Sequence, residues 1–268
     1  AMSLIREAGY KCKRSGKELV CLDPTNNVEF VFLRPKDIAT YVASGVFSFG
    51  VTGRDIVADS EEEVVEMKGL NFGKASFRYI IPGSEEFTGL EQFEGKRVAC
   101  SYPYLVKKHL EENGVNASVV NLGGAVEISI HLGIADFVAD VVETGTTIKQ
   151  AGLKTVGEPI MQSEAILISK CASVTENAEA EKFIRRISGV LAARKYVMVE
   201  YDVPVAKLDA AVAVSPGLES PTIAPLLDEE WRSVKVMIET KKANGVMDEL
   251  SALGAKAIIV TTIKNCRI

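Results

Sequence analysis

The stretch Asp136-Phe137-Val138-Ala139-Asp140-Val141-Val142-Glu143-Thr144-Gly145-Thr146-Thr147-Ile148 concentrates groups suited to a phosphorylated sugar. An apolar strand ends on an acid and enters a hydroxyl- and glycine-rich turn that opens a helix. Backbone N–H groups in such a turn converge on an anion, and the helix N-terminus adds positive potential. Thr144, Thr146 and Thr147 add hydroxyl donors, and Gly145 lets the backbone approach closely. Asp140 can accept hydrogen bonds from sugar hydroxyls. Together these suit a ribose 5-phosphate. A plain strand–turn–helix junction with a Thr N-cap would use the same residues, so both readings stand at this level.

Other chemical groups sit at strand ends. Arg34 follows an apolar run and precedes a Pro-started helix, where it can meet phosphate bidentately or pair with Asp37 or Asp55. Arg54, in Thr52-Gly53-Arg54-Asp55, lies on a strand-end loop, where open α/β sheets bind ligands. It is a candidate for an anionic ligand, with Asp55 orienting it. Tyr102, in Ser101-Tyr102-Pro103, can pack against a nucleotide or simply fill a turn. Glu127 lies on an amphipathic helix as a ligand contact or a solvated carboxylate, and His131 falls on its face four residues on. His109 reads as a surface residue beside Lys107 and Lys108, and Trp231 as core. No Ser-His-Asp or Cys-His constellation is present.

The elements that must position these residues alternate in the manner of an α/β protein. Strands are expected at 28–33, 49–51, 77–81, 97–100, 117–121, 135–142 and 164–169, with helices at 35–44, 105–113, 125–132 and 174–195. The second run of strands reads as a mostly parallel sheet. Residues 196–268 read β-α-β-β-α-β, the ferredoxin-like order. The first ten residues read as the second half of a helix, stopped at Gly9.

At this point a resemblance enters. Glu127, then Gly133-Ile134-Ala135-Asp136, then Asp140-Val141-Val142-Glu143-Thr144-Gly145-Thr146-Thr147, resembles the signature of ATP phosphoribosyltransferase, with Phe137 and Ile148 slightly unusual at their places. The resemblance extends to Leu33-Arg34-Pro35-Lys36-Asp37, Gly50-Val51-Thr52-Gly53-Arg54-Asp55, Phe77-Arg78-Tyr79, Ser101-Tyr102-Pro103 and Pro216-Gly217-Leu218-Glu219-Ser220-Pro221-Thr222, and so covers nearly the whole chain. It implies the long form: an α/β, two-lobed, periplasmic-binding-protein-like catalytic part plus a C-terminal ferredoxin-like (βαββαβ) regulatory domain. The implied boundaries are 1–90 for lobe I, completed by about 164–195, then 91–163 for lobe II and 196–268 for the regulatory domain.

The resemblance also implies a reaction. N1 of the adenine of ATP attacks the anomeric carbon of 5-phosphoribosyl 1-diphosphate, and pyrophosphate leaves, with Mg²⁺ on the phosphates. Arg34, Arg54 and Asp140 take catalytic roles; Asp55, Tyr102, Glu127, Glu143, Thr144, Gly145, Thr146 and Thr147 bind substrate. Asp202, Leu218, Thr222 and Ala257 match a pocket for L-histidine as feedback inhibitor. A homo-oligomer, dimer or hexamer, is implied, with no metal held by the protein alone. In the family a strand and a Pro-Asn-Lys-Gly-like turn precede the first helix. The sequence given starts inside that helix, so weak activity is expected of it.

Composition limits the alternatives. The 268 residues carry 31 basic and 36 acidic side chains, a net charge of -5, which argues against a general nucleic-acid binder. No apolar run approaches the ~20 residues of a membrane span. Cysteines at 12, 21, 100, 171 and 266 show no CxxC spacing and read as reduced thiols of a cytoplasmic protein. Two histidines are too few for a His-built zinc site. A two-lobed small-molecule binding protein without catalysis is the competing reading, and a ligand-sensing regulator a third. Magnesium-dependent affinity for phosphoribosyl diphosphate separates the first from both.

Overall fold

The computed structural model describes residues 1–11 and 16–268. Cys12 therefore lies outside the described residues. The chain divides into two compact units, 1–31 with 181–268, and 32–180.

The first unit begins with helix α1 (Met2–Glu7), followed by strands β1 (Val20–Asp23) and β2 (Val28–Val31), which pair antiparallel. Past α1, Gly9 takes a left-handed φ of +86°, which ends the helix where the sequence placed its stop.

The second unit opens with α2 (Pro35–Ala43), begun by a proline at its first turn. There follow β3 (Gly50–Gly53), α3 (Arg54–Asp59), β4 (Val65–Gly69), β5 (Ala75–Pro82) and β6 (Arg97–Cys100). Next come α4 (Pro103–Glu112), β7 (Ser118–Asn121), α5 (Ile128–His131), β8 (Phe137–Val142) and α6 (Thr146–Gln150). The unit closes with β9 (Leu153–Ser163) and β10 (Ala165–Ser169). Its strands form two sheets, ordered β3-β10-β4 and β7-β6-β8-β5-β9. Two chain passages join them, from β4 to β5 and from β9 to β10, giving the two-lobed α/β arrangement.

Two expectations are corrected here. The larger sheet is mixed: β6 runs parallel to β7 and β8, but β5 is antiparallel to both β8 and β9. The reason is connectivity, since β5 carries the chain into this sheet and β9 carries it back out. For the same reason the sheet change precedes β5 at residues 70–74, and not at residue 90. The smaller sheet is antiparallel throughout, with β10 paired to β3 and β4.

Alternation sets the two faces of the larger sheet. Phe77, Tyr79, Ile81, Val98, Cys100, Phe137 and Ala139 face one core, closed by Leu105, Val106 and Leu110 of α4. Ile80, Ala99 and Val138 face the other, with Val126 and Leu153. Phe93 stacks on Phe137 with ring centroids 3.9 Å apart. His109 is a correction too: it is half-buried, not a free surface group, and its Nδ1 lies 2.9 Å from the Tyr79 hydroxyl. Burial lowers its pKa and raises that of Tyr79.

Helix α7 (Ala178–Lys195) leads into β11 (Tyr196–Pro204), α8 (Leu208–Val214), β12 (Thr222–Pro225), β13 (Trp231–Glu239), α9 (Ala243–Ala252) and β14 (Lys256–Thr262). The sheet order β12-β13-β11-β14, antiparallel throughout, is the ferredoxin-like one. Val197, Val199, Tyr201 and Val203 of β11 alternate into a core with Ala211 of α8 and Leu250 of α9. Trp231 is half-buried at the start of β13, with the Lys256 ammonium 5.0 Å from its ring centre.

Candidate active site

The site is built at the carboxyl ends of β6 and β8, which lie side by side with Cys100 paired to Ala139. From β8 emerges the loop that carries the phosphate-suited residues. Gly145 takes φ +71° and caps α6, a conformation glycine adopts at no steric cost. Thr144 and Thr146 share a hydroxyl contact of 3.2 Å. Glu143, Thr144, Thr146 and Thr147 are exposed. Five residues of helix follow, and no side chain caps its first-turn N–H groups.

Asp140 sits just before the loop, half-buried, with its Oδ1 accepting the Val141 N–H at 2.8 Å. Burial raises its pKa first, and the charges of Glu127 and Asp55 raise it further. The structure thus brings Glu127 and Asp55 each within electrostatic reach of Asp140.

From β6 emerges the turn Ser101-Tyr102-Pro103, and it is held tightly. The Lys36 ammonium donates to the Ser101 carbonyl at 2.7 Å and stands 5.5 Å from the Tyr102 ring centre. Tyr102 packs edge-on against Phe77 at 5.1 Å. Burial raises the pKa of its phenol, and the nearby Asp55 carboxylate raises it further. Asp55 is buried, and Ser163 fixes it: the Ser163 hydroxyl donates to Asp55 Oδ1 at 2.7 Å and accepts the Asp55 N–H at 3.2 Å.

The two arginines part company. Arg34 is exposed at the start of α2 and has no ion-pair partner among the described residues. Arg54 forms a fork with Glu66, Nε–Oε2 2.9 Å and Nη2–Oε1 2.7 Å, and also bonds Glu164 at 3.3 Å and the Gln162 carbonyl at 3.4 Å. Its pKa is raised accordingly, chiefly by Glu66. Asp55 does not orient Arg54, contrary to expectation; Asp55 turns to Ser163, and two glutamates hold Arg54. Glu164 also accepts the Asn71 N–H at 2.8 Å, so this cluster ties together both passages between the sheets.

Sequence reasoning missed Lys36, Asp59, Glu66, Ser163 and Glu164 as parts of this region. Ser163 and Glu164 did leave a signal: with Gln162 they form a polar step directly before the apolar run Ala165-Ile166-Leu167-Ile168. Asp59 and Glu66 left none, because their partners lie in distant segments.

In the C-terminal domain, Asp202, Thr222 and the Lys235 register partner of Thr222 lie on the sheet face away from α8 and α9. Leu218 and Thr222 line a cavity of about 300 Å³ with Met198, Glu219, Ser220, Lys235, Val236 and Met237. Asp202 and Ala257 do not line it; Asp202 pairs with Lys256 at a bulge in β14, and Ala257 has φ +49°.

Comparison with known proteins agrees with this geometry. The family model for ATP phosphoribosyltransferase matches residues 34–189, and that described as HisG, C-terminal domain, matches 193–265. The ATP phosphoribosyltransferase of Corynebacterium jeikeium is 51% identical over 269 residues, covering 100% of this chain and 95% of the relative. That of Salinibacter ruber is 49% identical over 268 residues with the same coverage. Among solved structures, the ATP phosphoribosyl transferase (HisG:HisZ) complex from Thermotoga maritima aligns with TM-score 0.61 at 21% identity. It covers 70% of this chain and 89% of that one, a likeness of fold.

Proposed function

This chain belongs to the ATP phosphoribosyltransferase family, glycosyltransferase-type enzymes, and from that premise we propose how its residues divide the work. ATP and 5-phosphoribosyl 1-diphosphate are its substrates; phosphoribosyl-ATP and pyrophosphate are its products. A bond forms from N1 of adenine to the anomeric carbon, and the bond from that carbon to the pyrophosphate oxygen breaks with its electron pair. The carbon gains cationic character as a polyanion departs, so the protein's task is positioning and electrostatic stabilisation.

The juxtaposition of the 143–147 loop with Asp140 and with the 101–103 turn carries the proposal. Backbone N–H groups and the hydroxyls of Thr144, Thr146 and Thr147 hold the 5-phosphate, with Gly145 allowing close approach. Asp140 accepts the ribose hydroxyls, and its negative charge favours the cationic carbon. Glu127 and Glu143 flank the sugar. Tyr102, packed against Phe77, offers a face to the nucleotide. Arg34, whose guanidinium has no ion-pair partner among the described residues, meets a phosphate. Arg54 is already committed to Glu66 and Glu164, so its part is to brace the site.

Magnesium travels on the substrate phosphates in this reading. Among the described residues no three His, Cys, Asp or Glu side chains are grouped to hold a metal. Asp140, with Glu127 and Asp55 pushing its pKa up, is a local excess of negative charge that the magnesium cation carried on the diphosphate would offset. The ion would screen charge on the departing pyrophosphate.

L-Histidine would act as feedback inhibitor through the ferredoxin-like domain, with Leu218 and Thr222 in its cavity and Asp202 and Ala257 nearby on the sheet. The coupling would be reciprocal between inhibitor and substrates. The protein would work as a cytoplasmic homo-oligomer, a dimer or hexamer. No helix among the described residues is long and apolar enough to cross a membrane.

The test is a calorimetric titration with phosphoribosyl diphosphate and Mg²⁺, repeated on Thr147→Ala. Saturable binding, one per chain and weakened by the substitution, is expected. Absence of binding to the wild-type chain would sink this reading.

A further inference from the structure

Helix α4 starts at Pro103 directly after the turn that carries Tyr102, and no side chain of its own caps it. Its cap comes from elsewhere. Asp59, the last residue of α3, accepts the N–H groups of Tyr104 and Leu105 on one oxygen, at 2.9 and 3.2 Å. Lys36, on α2, donates to the Ser101 carbonyl at 2.7 Å, one step before the same turn. Helix α2 packs on the smaller sheet through Ala39 and Val42, and α3 lies between the sheets, Val57 on the smaller one's core and Ala58 on the larger one's, whereas the turn belongs to the larger sheet. Asp59 also influences the pKa values of Cys100 and Tyr102, as Asp140 does, so it stands close to the candidate site.

We infer that Asp59 and Lys36 are positioning residues that reach from the smaller sheet to hold the Ser101-Tyr102-Pro103 turn, and with it Tyr102, beside Asp140. A carboxylate at a helix N-terminus satisfies amides that otherwise lack partners and interacts favourably with the helix dipole. Here it does so across 45 residues of sequence, so the cap is also a clasp between the two sheets. What the clasp accomplishes for catalysis rests on the transferase reading above; that it holds the turn does not.

The clasp is proton-sensitive in a definite direction. Burial is the largest influence on the Asp59 carboxyl and raises its pKa; Glu61 raises it as well, while the two amides and Lys36 lower it. Cys100 and Tyr102 are the other titratable groups facing it. A released, solvated Asp59 would titrate near the ordinary carboxylate value. The clasped state therefore takes up a proton more readily than the released state, and acidification favours the clasp.

The experiment compares wild type, Asp59→Ala and Asp59→Asn by hydrogen exchange across the Tyr104 and Leu105 amides and by steady-state kinetics from pH 5 to 8. In Asp59→Ala, exchange at these amides should quicken by about tenfold, the loss of one hydrogen bond to a charged group, while β11 amides stay unchanged. kcat should fall by a similar factor, with KM for phosphoribosyl diphosphate within about twofold, since a different loop holds that substrate. Asp59→Asn keeps an acceptor oxygen, so it should recover most of the protection and of kcat at neutral pH. Its exchange, corrected for intrinsic rates, should lose the extra protection wild type gains on acidification. Unchanged exchange in Asp59→Ala would overturn the clasp. So would a kinetic loss confined to KM for phosphoribosyl diphosphate, or an Asp59→Asn variant with the wild-type pH dependence. Should wild type show no turnover, the transferase reading fails on that result alone, and the exchange data still decide whether Asp59 holds the turn.

Discussion

The 101–103 turn and the 143–147 loop leave neighbouring strands of one sheet, yet they are secured in opposite ways. Lys36, Asp59 and Phe77 grip the turn. The loop shows one threonine–threonine contact and is mostly exposed. The difference follows from what each must do. A loop that closes backbone N–H groups around a phosphate must leave them free beforehand. An aromatic platform gains from being fixed in advance, because ordering it on binding would cost conformational entropy. Damage to the turn should therefore lower kcat or stability, and damage to the loop should lower affinity.

The largest effect is expected where the two regions meet. Asp140→Asn keeps the side chain's size and removes its charge, and should lower kcat/KM by roughly 100-fold or more, as loss of an electrostatic stabiliser does. The pH profile sharpens this. Burial and the neighbouring acids raise the Asp140 pKa, so the ionised form is lost at higher pH than for an ordinary carboxylate. The acid limb of wild-type kcat/KM should thus lie above the usual carboxylate range, and Asp140→Asn should lack it.

Next comes Arg54→Ala, which strands Glu66 and Glu164 where the sheets join. The side chains are part-exposed, so solvent discounts the loss to about 1–2 kcal/mol, below that of a buried pair. Thermal or denaturant unfolding reads it directly. Should Arg54→Ala instead leave stability intact and abolish phosphate binding, Arg54 would belong to the ligand and the contrast between the two arginines would fail.

Thr147→Ala should weaken phosphoribosyl diphosphate binding by about threefold to tenfold, one neutral hydrogen bond, with the melting temperature unchanged. The opposite pattern would show that the loop is structural. A smaller effect is expected at His109. Burial holds its pKa below the usual value, so the unfolded chain binds the proton more readily, and stability should decline as pH falls through the ordinary histidine range near ~6.5. His109→Gln should flatten that decline. The smallest is Arg185→Ala, an exposed i,i+4 pair with Glu181, which should change stability by less than about 0.5 kcal/mol.

Much of this was legible in the order of residues. Strand 97–100 is found within the same limits, and the αβ alternation, the Pro-started helices and the βαββαβ order follow from local pattern. So does the strand–turn–helix that places Asp140 before Thr144, because the spacing is set by one strand end and one glycine. Local pattern could not show that β5 belongs to the larger sheet, since an isolated run such as 77–81 carries no record of its partner. It could not distinguish Arg34 from Arg54 either. Both follow strands, and only the packing of β4 and the β9–β10 junction supplies the glutamates that bind one of them.

The sequence by itself determined which groups are available and their spacing along each segment, because helix and strand periodicity and turn chemistry act over a few residues. The tertiary structure decided which charges are neutralised, which carboxyls are buried, and which side chains reach across from the smaller sheet to the larger. Asp59 and Tyr104 are brought together by packing over 45 residues. Their bond depends on the burial and geometry that both sheets create.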